Sequence, residues 1–172
     1  RHLKVQRPPL RAHREIREFI AGKHQEFPPQ LLRELLKDEM AWQELKDPLI
    51  QKIDQQLLVA LSRQDQLPVM MLSACLRVLP ETERRKASQD TYTWLQNQCQ
   101  QWINRFEAMP SVPNQIPQEL DHQLDLWAHL PPLLQPPLTE FQRELGRISA
   151  HKKPTPPKKR PWFLWVIAAI FL

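Results

Sequence analysis

Glycine is nearly missing, with Gly22 and Gly146 the only two in 172 residues. Left-handed backbone is therefore scarce, which excludes Gly-rich phosphate loops, type I′ hairpins and most glycine-closed helix ends. Cysteine is equally scarce. Cys75 and Cys99 show neither CxxC nor zinc spacing and sit inside apolar stretches of helical period, so buried, reduced thiols are expected. No serine stands in a nucleophile elbow, neither cysteine has a nearby histidine on its own segment, and paired-carboxylate motifs are absent. With few loops to carry a site, the chain is expected to be no enzyme and to use no cofactor.

Proline, by contrast, is abundant at 18 residues, mostly paired or standing just before apolar-periodic runs, where it starts helices. Disorder, the competing meaning of so much proline, is excluded over most of the chain by the density of Leu, Ile, Val, Phe and Trp. The spacing predicts helices over 10–26 and 29–46, and Asp47-Pro48 gives the start signal for a third over 48–64. Pro68 opens an almost wholly apolar segment to Leu79, expected as a central buried helix. Pro80 with Glu81 and Glu83 starts the longest run, to Met109, with Leu95, Cys99, Trp102, Ile103 and Phe106 at steps of three and four. A loop over 110–117, a helix over 118–130, a stiff turn bracketed by Pro131-Pro132 and Pro136-Pro137, and a last helix over 138–149 complete the pass. Prolines 8, 28, 48 and 68 share a spacing of twenty, but the residues between them do not repeat. The expected fold is all-α, an antiparallel helical bundle or helical-hairpin array of about six to seven helices.

Net charge is +5, distributed unevenly. Residues 1–24 hold seven Lys/Arg against Glu15 and Glu18, residues 25–150 carry net −5, and residues 151–161 add five bases and no acid. The last stretch, a Pro/Lys-rich linker with Lys152, Lys153, Lys158, Lys159 and Arg160, runs into the wholly apolar 162–172. An eleven-residue helix reaches only about 16 Å, about half a bilayer core, so this segment is expected to be the N-terminal part of a transmembrane helix. Trp162, Phe163 and Trp165 would be its interfacial anchors, and the neighbouring bases would interact with anionic lipid head groups. By the positive-inside rule, residues 1–160 would lie on the cytoplasmic side of an inner membrane, single-pass. The expected division is a basic arm (1–9), a helical cytoplasmic domain (10–150), the linker (151–161) and the membrane segment (162–172).

Candidate contact residues follow from charge and period. Arg11, Arg14 and Arg17 would line one edge of the first helix, with Arg7 before them in the arm, facing a partner or the membrane. No recognition helix or aromatic stacking series accompanies them, so nucleic acid is not the expected partner. Arg7 and His13 superficially resemble the Arg-x5-His pattern of small helical ribonuclease domains. That resemblance implies both residues on one ordered helix, which Pro8 and Pro9 interrupt here. Trp94, partly outside the apolar stripe of its helix, is a candidate exposed contact. Asp121 and Asp125 define an acidic face. His122, Asp125 and His129 share a helix side in the manner of a 2-His-1-carboxylate site, but that side is where solvated residues belong, so no metal is expected. These readings point to a non-enzymatic, membrane-anchored scaffold or adaptor recruiting other subunits of an envelope or secretion complex, with self-association left open. The alternative is a membrane-bound regulator whose cytoplasmic domain binds a transcription factor or nucleic acid.

Overall fold

A computed structural model describes residues 11–113 and 115–152. Among them are eight α-helices, one 3-10 turn and no strand, in a helical bundle. The helices are α1 (Arg11–Ile20), α2 (Pro29–Leu36), α3 (Glu39–Arg63), α4 (Gln66–Val78), α5 (Glu81–Lys86), α6 (Gln89–Ala108), α7 (Gln118–Trp127) and α8 (Pro136–His151). The 3-10 turn, Pro132–Leu134, precedes α8. Helix α3 is central, packing on α1, α2, α4, α5 and α6, while α8 lies along α6.

Two helix boundaries differ from expectation. Pro48 does not open a helix but lies inside α3, exposed, while the helix begins nine residues earlier behind Asp38. The Asp38 carboxylate accepts from the Ala41 N–H at 3.2 Å, a conventional N-cap. Pro48 lacks the N–H that would bond the Glu44 carbonyl. What carries the helix through it is the buried stripe Ala41, Trp42, Leu45, Leu49, Ile50, Ile53, Leu57, Ala60 and Leu61, which stays in helical phase across the proline. The long run expected from Pro80 to Met109 is instead two helices, parted at Ala87 and Ser88.

The remaining differences are smaller. Helix α1 stops at Ile20 because Gly22, at φ 84°, closes it: the Gly22 N–H bonds the Phe19 carbonyl and Lys23 N–H the Glu18 carbonyl, both at 3.0 Å. Helix α4 begins at Gln66, with Pro68 in its first turn, and is not buried all round, since Leu67 is 58% and Met70 42% exposed. Helix α7 ends at Trp127, and α8 runs through His151, which the sequence reading assigned to the linker.

With glycine so scarce, other groups close the helix ends. The α3 terminus uses Gln64 in left-handed backbone at φ 58°. The Arg84 guanidinium, from α5, donates to the Leu76, Arg77 and Leu79 carbonyls at the end of α4, at 2.9–3.0 Å. The Lys152 ammonium donates to the Phe106, Glu107 and Met109 carbonyls at the end of α6. Cations there meet both the unbonded carbonyls and the negative pole of the helix dipole.

Candidate functional site

The basic edge of α1 is built by burying the opposite side. Ala12, Ile16 and Phe19 face the core, and Phe19 meets Phe27 edge-on at 4.9 Å between ring centroids. Arg11, Arg14 and Arg17 are thereby exposed, but their charges are not equivalent. Arg11 pairs with Glu15 at 2.6 Å on its own helix. Arg17 pairs with Glu44 of α3, whose other carboxylate oxygen lies 3.6 Å from His13 Nε2. Arg14 has no ion pair or hydrogen bond through its side chain among the described residues. The three arginines are therefore not an open row of cations.

A cleft of about 400 Å³ opens on this edge, lined by His13, Arg14, Arg17, Glu18, Ala21 and Lys23. Glu18 holds His24 at 3.0 Å, and that hydrogen bond keeps its carboxyl below the usual carboxylate range despite opposing desolvation. Beside the cleft, Lys52 of α3 brings its Nζ to 3.8 Å from where a side chain on Gly22 would begin. Sequence reasoning missed Lys23 and Lys52. One of the two glycines beside a lysine could have signalled the first, whereas Lys52 is assembled from α3 and has no local signal.

On the acidic face, Asp121, His122 and Asp125 are exposed and without ion pairs among the described residues. A cleft of about 320 Å³ lies beside them, lined by Gln64, Gln66, His122, Asp125, Leu126 and His129. It thus joins the α3–α4 junction to α7. The Arg77 guanidinium donates to the His129 carbonyl at 3.1 Å, and Trp102 Nε1 donates to Gln123 Oε1 at 2.7 Å, holding α7 to α4 and α6. Among the described residues no group of three or more His, Cys, Asp or Glu is arranged to hold a metal.

Trp94 is placed differently from the sequence reading. It is half-buried and packs edge-on against Trp127, with centroids 6.4 Å apart and planes at 89°. Lys152, counted with the membrane-proximal bases, belongs to the folded body because its ammonium is engaged at the end of α6. Arg7, Lys153, Lys158, Lys159, Arg160, Trp162, Phe163 and Trp165 lie outside the described residues, as do the arm and the apolar segment. Within the described residues no helix is long and apolar enough to cross a membrane.

The buried reactive groups serve structure. Cys75 and Cys99 are buried free thiols, each pushed up to about 12 by burial. Asp54, 5% exposed on α3, accepts from the Asp90 N–H (2.9 Å), the Thr91 N–H (3.1 Å) and the Thr91 hydroxyl (2.7 Å). It caps α6 from another helix. Ser88, in the local N-cap position, turns its hydroxyl back to the Arg84 and Arg85 carbonyls instead. Desolvation raises the Asp54 carboxyl above its usual range, outweighing the donors that would lower it.

Comparison with protein-family models, with curated proteins and with solved structures finds no match to the chain.

Proposed function

We propose that this chain is a non-enzymatic scaffold or adaptor, anchored to an inner membrane through residues 162–172, whose helical domain recruits partner subunits of an envelope or secretion complex. The observation that carries the reading is the run of four bases (Lys153, Lys158, Lys159 and Arg160) and no acid over 153–161, leading directly into eleven residues without a polar side chain. In this reading residues 1–160 face the cytoplasm and the linker bases rest on anionic head groups. Partners dock on the exposed arginines of α1 and on Asp121 and Asp125 of α7, which are free of ion pairs among the described residues. The commitment of Asp54, Arg84 and Lys152 to helix ends, and the burial of both thiols, support a role in binding over one in catalysis.

The test is purification of the full-length chain from membranes in mild detergent, with mass spectrometry of what accompanies it. A stoichiometric set of subunits, lost on reversing Asp121 and Asp125 to Lys or Arg14 and Arg17 to Glu, is the expected outcome. Recovery of the chain alone, or from the soluble fraction, refutes the scaffold reading.

A further inference from the structure

The turn after α1 carries more positive charge than the fold requires. A helix C-terminus presents about half a negative charge, which one nearby cation offsets. Three cations without ion pairs among the described residues converge on this turn instead: Arg14 and Lys23 in the lining of the cleft, and Lys52 beside Gly22. The carboxylates close by are partly engaged, and Glu18 also attracts Lys23 and Arg14. Glu18, the one acid in the lining, holds His24, and Glu44 holds Arg17 and His13. What remains is a half-open cleft where cations outnumber acids: Glu18 is one carboxylate facing Arg14 and Lys23, with Lys52 close by.

We propose that this cleft is a binding site for a phosphate group, with Arg14, Lys23 and Lys52 as its three points of contact. The backbone N–H groups of Gly22 and Lys23 are spent on the Phe19 and Glu18 carbonyls, so side chains must hold the anion. Arg14 supplies a planar fork suited to two phosphate oxygens, and the lysines supply mobile point charges. Gly22 leaves the rim beside Lys52 without a side chain, and its positive φ favours glycine there. The site goes beyond the scaffold reading, because it stands whether or not the chain recruits subunits. Its phosphate could come from a soluble phosphate ester or from a lipid head group, and the chemistry of recognition is the same.

The chain provides its own reporter. Labelling with nitrogen-15 glycine yields signals from just two residues, Gly22 in the site and Gly146 on α8. The full chain in uncharged detergent is titrated with inorganic pyrophosphate while both amides are followed by NMR. The Gly22 signal is expected to shift and saturate while Gly146 stays still. Lys23→Gln and Lys52→Gln should each weaken binding about tenfold, the loss of one charge-assisted contact. Arg63→Gln, which removes an exposed charge at the far end of α3, should change it less than about twofold. An unmoved Gly146 signal certifies that each variant remains folded. Short-chain phosphatidic acid distinguishes the sources: tighter binding than inorganic pyrophosphate assigns the site to a head group, and equal or weaker binding to a soluble phosphate. Shifts that never saturate, or an Arg63→Gln effect as large as that of Lys52→Gln, overturn the proposal.

Discussion

Replacing Asp54 by Ala removes the only side-chain acceptor, among the described residues, at the start of α6 and so tests whether this trans cap holds the two long helices together. Three donors lose their partner, and their fates differ. Asp90 is exposed, so its N–H can turn to water. The Thr91 hydroxyl retains the Asp54 carbonyl at 3.4 Å. The Thr91 N–H has neither recourse, because Thr91 is 0% exposed. One stranded buried N–H costs about 1–3 kcal/mol, and loss of a helix cap about 1 kcal/mol more. Removing the carboxylate also recovers part of its desolvation cost, which leaves a net loss of about 2–3 kcal/mol. For a domain of this length that is a fall in Tm of about 5–10 °C. Urea unfolding followed by tryptophan fluorescence measures it, and a double-mutant cycle with Thr91→Val should return a coupling of about 1 kcal/mol. A loss below about 0.5 kcal/mol for Asp54→Ala would refute the reasoning.

The pH dependence of the same site has a definite sign. Burial raises the folded carboxyl above its unfolded value, so in the window between the two the folded chain binds more protons. The Asp54 contribution is therefore fully present below the unfolded pKa and falls as pH rises through the folded one. The stability gap between the natural chain and Asp54→Asn should narrow from about pH 3 to pH 7. A gap that widens over that range contradicts the assignment.

Other outcomes follow from the helix ends and the thiols. Gln64→Gly relieves left-handed backbone at an exposed residue and should stabilise the chain by about 0.5–1 kcal/mol in urea, with the Leu61 and Ala60 carbonyl bonds kept. Lys152→Met strips the cation from three carbonyls of α6 and should cost about 1–2 kcal/mol, with earlier hydrogen exchange around Phe106 and Met109 as its local sign. Cys75 and Cys99, with pKa near 12, should resist a disulfide-exchange reagent at neutral pH and react together once denaturant unfolds the chain. Rapid labelling of the folded chain at either position would show that burial is not what protects it.

The site was legible in parts, and the parts divide by distance along the chain. Exposure of Arg11, Arg14 and Arg17 could be read from the apolar spacing of Ile16 and Phe19, since both sets lie within one helix. The neutralisation of Arg17 could not, because Glu44 reaches it from α3. Lys52 beside Gly22 was invisible for the same reason. Trp94 was misjudged because its partner, Trp127, is contributed by α7. Pro48 was misread as a start because a local signal was weighed above the apolar stripe that continues in phase on both sides.

The sequence by itself determined that the chain is helical, which faces of its helices are apolar, and that its cysteines lie in apolar stretches, since each follows from residues three or four apart. It also determined the unequal charge and the apolar stretch at 162–172. Only the tertiary structure decided where α3 begins relative to Pro48, that α5 and α6 part at Ser88, and which charged groups are committed. The reason is physical: with two glycines, helix ends are completed by Asp54, Arg84 and Lys152. Asp54 and Lys152 act across 36 to 46 residues, so their partners exist only once the helices are side by side.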